Sequence, residues 1–311
     1  MTTQWMTWDA LECLRTLPDE SVNCVVTSPP YWGLRDYGVA GQIGLERTPE
    51  EYVARLVEVF REVRRVLRRD GTCWINMGDS YASAPAGNFG LGMTKPADGG
   101  SYRENKPKMD YGLCGLKPKD LCGIPWRVAF ALQAGGWWLR QDIIWAKPNP
   151  MPESVRDRCT RSHEYVFLLT KSAKYWYCAD AIAEQAVSKP GKGVIGRGTQ
   201  GSALAVGCNG RNAQQDHSGW MGGDGETRNR RSVWTITPKP FAEAHFATFP
   251  PELPEICIKA GCPPDGTVLD PFAGAGTTGL VAQRLGRSFI GIELNADYIE
   301  MAKRRLERDV I

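Results

Sequence analysis

The chain has 311 residues, 42% hydrophobic and 23% charged, which is enough apolar material for a packed core and excludes wholesale disorder. At about 150 residues per domain, the length fits two domains or one large α/β domain carrying an insertion. The net charge of +3, from 38 basic and 35 acidic residues, neither demands nor excludes nucleic acid, because placement of the charges decides that.

Asn23-Cys24-Val25-Val26 is a short apolar run closed by Thr27-Ser28-Pro29-Pro30-Tyr31, the pattern of a buried strand ended by prolines. Tyr52, Leu56, Val59, Phe60, Val63 and Leu67 recur at three- and four-residue spacings, predicting an amphipathic helix over 49–68. Pro49 at its start and Gly71 just beyond its end fit helix boundaries. Thr72 to Asn76 reads as the next buried strand, giving a strand, helix, strand signature of parallel α/β structure. Residues 81–120 are rich in Gly, Pro, Lys and Asn and predict a long loop, either a functional lid or a mobile segment. A helix over 124–134 and strands over 138–146 and 165–170 follow. Between those strands, Lys147-Pro148-Asn149-Pro150-Met151-Pro152 is a rigid extended crossing.

Composition changes over 187–232, which holds 11 glycines, seven Lys and Arg, and three Asp and Glu. This segment predicts an inserted recognition element that orders on a partner, with an unstructured linker as the alternative. Residues 244–311 return to α/β: a strand at Thr267 to Asp270, a Gly-rich turn, a helix to Leu285, a strand at Ser288 to Ile292 and a helix near 296–307. No apolar run approaches the ~18 residues of a membrane span. The N-terminal residues lack the basic and apolar regions of a secretory signal; a cytoplasmic protein is expected. The ten cysteines are scattered without C-x-x-C, and there are three histidines. No metal site is expected, and the cysteines read as free thiols in a reducing compartment.

The turn Asp270-Pro271-Phe272-Ala273-Gly274-Ala275-Gly276-Thr277-Thr278-Gly279 contains G-x-G-x-x-G between strand and helix. Its glycines permit a tight turn and close backbone approach to a ligand. Glu293 at the end of the next strand can accept from ribose hydroxyls, as in the nucleoside corner of a doubly wound sheet. Only about 32 residues follow Gly279, too few for the βαβ units expected after a dinucleotide turn that opens a domain, which disfavours an NAD-dependent oxidoreductase. The rest of the sheet must come from the N-terminal half, placing this turn beside Ser28-Pro29-Pro30-Tyr31, both at carboxyl ends of strands.

Ser28 and Pro29 each precede a proline and are held extended. The Ser28 hydroxyl and Pro29 carbonyl form a rigid pair of acceptors beside the Tyr31 ring. That suits a planar base bearing an exocyclic amine, whose two hydrogens the acceptors take while Tyr31 stacks on the ring.

On these motifs the chain resembles the amino-group DNA methyltransferases that use S-adenosylmethionine. Thr27-Ser28-Pro29-Pro30-Tyr31 is similar to their catalytic motif and Asp270 to Thr278 to their cofactor motif. His245-Phe246-Ala247-Thr248-Phe249-Pro250-Pro251 resembles the segment before the cofactor motif, with Phe249 where many relatives have Lys. Asp9 resembles an N-terminal acid that meets the adenine of the cofactor. The order, catalytic motif first, resembles the permuted β-type arrangement.

The resemblance implies a circularly permuted, Rossmann-like α/β fold with a doubly wound, mostly parallel sheet. Residues 1–186 would form its catalytic part, 187–232 a target-recognition region and 233–311 its cofactor-binding part. It implies Ser28, Pro29, Pro30 and Tyr31 as catalytic residues. Cofactor contacts would come from Asp9, His245, Phe246, Thr248, Asp270, Pro271, Phe272, Gly274, Gly276, Thr277, Thr278, Glu293 and Asn295.

The expected partner is double-stranded DNA, with Arg156, Arg158, Arg161, Lys189, Arg197, Arg228, Arg230 and Arg231 on its phosphates. A cognate restriction endonuclease is a further expected partner, and the enzyme would be a monomer or homodimer. Ser in the first motif position is commoner among N4-cytosine enzymes and Asp among N6-adenine enzymes, so N4 of a flipped cytosine is the expected target. N6 of adenine is the alternative, and RNA or protein glutamine a more distant one. None of the ten cysteines follows a proline, against the cysteine nucleophile needed for methylation at cytosine C5.

Overall fold

The computed structural model describes residues 1–34, 36, 38–82, 114–186, 205–206, 227–239 and 249–309. The chain runs β1 (Thr3–Thr7), α1 (Ala10–Thr16), β2 (Val22–Thr27), α2 (Pro49–Val66), β3 (Leu67–Met77), α3 (Ile124–Ala134), β4 (Trp138–Ala146) and β5 (His163–Thr170). Short strands β6 (Tyr175–Trp176), β7 (Glu184–Gln185), β8 (Ala205–Val206), β9 (Thr227–Arg228) and β10 (Val233–Thr235) follow. The last part is α4 (Glu252–Gly261), β11 (Thr267–Asp270), α5 (Thr277–Arg284), β12 (Ser288–Glu293) and α6 (Ala296–Asp309).

Eight strands form one sheet in the order β1-β12-β11-β2-β3-β5-β4-β10. Every pairing is parallel except those of β5, which runs against both β3 and β4. The alternation of side chains along a strand divides the core in two. Val25, Cys73, Ile75, Phe167 and Leu169 join the α1, α2 and α3 side. Cys24, Val26, Trp74, Val166 and Leu168 join the side covered by α4 and α5. Strands apolar on both faces mark a sheet sandwiched between helices, so the expected doubly wound, mostly parallel sheet is present.

α2 starts at a reciprocal capping box. Thr48 Oγ1 accepts from Glu51 N at 3.2 Å, while Glu51 Oε2 accepts from Thr48 N at 3.3 Å, with Pro49 in the first turn. Its buried stripe is the predicted one as far as Val63; the helix stops at Val66, and Leu67 already belongs to β3. β1 pairs with β12, so the first and last parts of the chain share one edge of the sheet. β11 lies against β2, which brings the two motif-bearing strand ends together. The helix after β11 and the helix after β2 go to opposite faces, which opens a crevice at this switch point.

Most of the predicted loop over 81–120 falls outside the described residues, as does most of 187–232. Among the described residues, eight cysteines carry no disulfide, as expected. Cys178 departs from that expectation: it is disulfide-bonded. No helix among the described residues is long and apolar enough to cross a membrane.

Candidate active site

The carboxyl ends of β2, β3, β4, β11 and β12 meet at one edge of the sheet. At the end of β11, Asp270 is buried and ties the two motifs together. Its Oδ1 accepts from Thr27 Oγ1 at 2.6 Å and Phe272 N at 3.1 Å, and its Oδ2 from Thr278 Oγ1 at 2.8 Å. Burial raises this carboxyl from 3.8 to about 6, overriding the three hydrogen bonds that favour its charged form.

Gly274 and Gly276 have φ of +49° and +73°, where a side chain is strained. A Cβ on Gly276 would lie 2.7 Å from Ala302 Cβ, whereas one on Gly274 would meet nothing within 4 Å. The Gly274 backbone is therefore open to a ligand. Glu293, at the end of β12, accepts from Gly274 N and Asn295 N, each at 2.9 Å. Burial raises its pKa, and no cation is paired with it among the described residues.

Ser28, Pro29, Pro30 and Tyr31 leave the end of β2. Tyr52 Oη on α2 donates to the Pro30 carbonyl at 2.8 Å, so Pro30 is spoken for and Pro29 keeps its carbonyl. Tyr31 Oη donates to Glu164 Oε2 at 2.7 Å, and Asn76 Nδ2 donates to the same oxygen at 3.1 Å. Lys147 Nζ pairs with Glu164 Oε1. Gly78 lies flat against the tyrosine, for a Cβ there would be 2.7 Å from Tyr31 Cε2. The phenol is pushed well above its usual value, first by burial and then by the Glu164 charge, and remains a neutral donor.

One cleft gathers most of the predicted residues. Asp9, Ser28, Pro29, Pro30, Tyr31, Asp270, Pro271, Phe272, Gly274, Thr277, Glu293 and Asn295 all line it. Asp9 has a second duty, capping α1 by accepting from Leu11 N at 2.9 Å and Glu12 N at 3.2 Å. Thr278 stands behind the wall as a partner of Asp270, and Gly276 shapes the turn. His245, Phe246 and Thr248 lie outside the described residues, although Phe249 reaches the cleft.

Sequence reasoning missed Asn76, Lys147 and Glu164. Their signal was polar residues at strand ends: Asn76 closes an apolar strand, Lys147 opens the proline-rich crossing and Glu164 heads an apolar run. Because β5 is antiparallel, its amino end, not its carboxyl end, comes to this edge, and Trp145 is the register partner of Glu164.

The predicted phosphate contacts are less free than their sequence suggested. Arg158 Nη1 donates to Glu153 Oε2 at 2.7 Å, and its guanidinium lies 3.9 Å from the Tyr81 ring centroid. Arg161 bonds the Asp79 carbonyl. Arg228 and Arg231 share Glu184 at 2.9 and 2.5 Å, and Arg230 packs over Trp234. Arg156 is exposed and makes no ion pair among the described residues. Lys189 and Arg197 lie outside them.

Comparison with known proteins gives this geometry a family. The model of a DNA methylase family, covering N6- and N4-type enzymes, matches residues 22–304. The Type II methyltransferase M.XycI of Xanthomonas campestris pv. cyanopsidis is 50% identical over 96% of this chain and 86% of its own. M.SmaI of Serratia marcescens is 47% identical over 96% and 89%. Among solved structures, a DNA modification methylase of Thermus thermophilus, in complex with S-adenosyl-L-methionine, is 25% identical, with a TM-score of 0.59 over 99% of this chain and 95% of that one. The fold is also that of the PvuII cytosine-N4-specific methyltransferase, at 19% identity, a TM-score of 0.63, and coverage of 100% and 90%.

The cleft suits S-adenosylmethionine. The bare Gly274 backbone, the cation-free Glu293 carboxylate and the rings of Phe272 and Tyr298 offer a close approach, a ribose acceptor and aromatic faces. The chain thus belongs to the N6/N4 DNA methylase family, and S-adenosylmethionine is its methyl donor.

Proposed function

We propose that the protein methylates N4 of a cytosine flipped out of double-stranded DNA. The observation that carries this reading is the single cleft with Gly274 and Glu293 at one end and Ser28, Pro29 and Tyr31 at the other. Bound S-adenosylmethionine supplies a methyl group on a sulfonium sulfur. Ser28 Oγ and the Pro29 carbonyl take the two amine hydrogens, which turns the nitrogen lone pair toward that methyl. Tyr52 supports this choice of acceptors by occupying the Pro30 carbonyl.

Tyr31, held by Gly78 and Glu164, stacks on the base, a contact of ~1–3 kcal/mol. Its face also stabilises positive charge growing on the amine. The N–C bond forms as the S–C bond breaks, and the amine sheds one proton to water. Glu293 receives ribose hydroxyls, and Asp9, Phe272 and Asn295 meet the adenosine end. Pro271, Gly274, Gly276, Thr277 and Thr278 shape that end, and the resemblance adds His245, Phe246 and Thr248 as further cofactor contacts.

The choice of cytosine rests on Ser28 in the first motif position, where N4-cytosine enzymes more often carry Ser; its hydroxyl accepts from the amine and can donate to the adjacent ring nitrogen, where an Asp can only accept. Opening the duplex costs a few kcal/mol. The basic 187–232 segment is a target-recognition region, and Arg156, Arg158, Arg161, Lys189, Arg197, Arg228, Arg230 and Arg231 bear on phosphates. The Type II relatives support a modification role beside a cognate restriction endonuclease.

The test is incubation with unmethylated duplex DNA and methyl-labelled S-adenosylmethionine, then mass spectrometry of the digested nucleosides. N4-methylcytosine is expected. N6-methyladenine would overturn the choice of base. Label on RNA or protein in place of DNA would overturn the substrate class.

A further inference from the structure

The base end of the cleft has one cation among its described lining residues, Lys147. It stands one residue past β4 and points back into the cleft. Its Nζ pairs with Glu164 Oε1 and lies 4.3 Å from the Trp145 ring centroid. The side chain is 21% exposed and that of Glu164 16%. An ammonium has three N–H donors, and the ion pair uses one. The neighbouring polar groups cannot take over its role. Both Asn76 Nδ2 contacts go to Glu164 and the Tyr165 carbonyl, and Tyr31 Oη gives its hydrogen to Glu164.

Cytosine and adenine present the same first two groups on the edge that bears the amine. First comes the amine itself, then a ring nitrogen that accepts. The third group differs: cytosine has the carbonyl oxygen O2, adenine a C–H. We propose that Lys147 donates a hydrogen bond to O2 of the target cytosine and so separates cytosine from adenine. This rests on the reading of the cleft as a pocket for an exocyclic amine. The pairing with Glu164 keeps the local charge near zero. Lys147 thus supplies donors without setting a net positive charge against the amine as it becomes positive. A buried donor left facing a C–H has lost its partner, which is how a polar site rejects the wrong ligand.

The test uses two duplexes of the methylated sequence, alike except that one carries adenine in place of the target cytosine. For Lys147→Met, the loss of kcat/KM on cytosine should exceed the loss on adenine by about tenfold or more. Lys147→Arg should keep much of the discrimination. Glu164→Gln, which removes both the acceptor of Tyr31 and the ion-pair partner of Lys147, should slow both bases and also narrow the discrimination between them. Equal losses on the two bases in Lys147→Met would overturn the proposal.

A second measurement needs no variant. Wild-type enzyme should lose several-fold on 2-thiocytosine, whose sulfur is a poor acceptor, and unchanged turnover would also overturn it. Wild-type enzyme that methylates neither duplex would instead sink the underlying reading of the cleft, and the proposal with it.

Discussion

At the scale of single residues, the site depends on side chains that hold other side chains. Tyr31 has its hydroxyl fixed by Glu164 and its ring backed by Gly78, so its face has one orientation. Gly78→Ala would put a methyl group 2.7 Å from Tyr31 Cε2 and tilt the ring. A misplacement of about 1 Å in a reacting geometry can cost about 10²-fold. Steady-state kinetics should therefore show a large fall in kcat with little change in the affinity for S-adenosylmethionine. Unchanged kcat would mean that the ring orientation is immaterial.

Asp270 offers a separate test, through pH. Its folded pKa of about 6 lies above the ordinary 3.8, so the folded state holds the proton more tightly. Stability from this group is full below about pH 4 and is lost as pH rises through about 6, by an amount on the order of 3 kcal/mol. Asp270→Asn removes that titration. Its Tm should gain on the wild type as pH rises from 4 to 7, whereas parallel profiles would contradict the buried, strained charge.

At the scale of elements, local signals and tertiary context divide the work. α2 is set by its own sequence, with its capping box at Thr48 and its apolar stripe. Thr48→Ala should lower stability by ~0.5–2 kcal/mol, readable as a fall in Tm with activity retained at low temperature. The strongly periodic helices and the apolar strands at 22–27, 138–146, 163–170, 267–270 and 288–293 were legible for the same reason.

Eight elements were not legible, four of them the two-residue strands β6 to β9. β1, Thr-Gln-Trp-Met-Thr, is an edge strand with no apolar run, and its pairing partner β12 is nearly the whole chain away. α1 has only seven residues and draws its order from the Asp9 cap. α4 has a proline in its first turn and no side-chain N-cap. β10 has three residues and exists through its pairing with β4. The direction of β5 was equally invisible, because apolar runs read the same both ways. That one reversal placed Glu164 in the site unseen, while Ser28, Tyr31, Gly274 and Glu293 were found by motif.

At the scale of the whole molecule, the two ends of the chain make one active centre. β1 and β12 share an edge, β2 and β11 lie side by side, and Asp270 is bonded to Thr27 across 243 positions of sequence. The late cofactor turn and the early catalytic corner are therefore two walls of one cleft with divided duties. In the proposed reaction Glu293 serves the cofactor through a charge-assisted hydrogen bond of ~1.5–3 kcal/mol, about 10- to 150-fold in affinity, and Tyr31 serves the base.

Calorimetric titration of S-adenosylmethionine into wild type, Glu293→Ala and Tyr31→Ala, with methyl transfer to DNA measured on the same samples, tests this division most directly. Glu293→Ala should weaken cofactor binding by at least about tenfold. Tyr31→Ala should bind the cofactor as the wild type does and yet lose methyl transfer. Equal loss of cofactor affinity in both variants, or unchanged affinity in Glu293→Ala, would contradict the account.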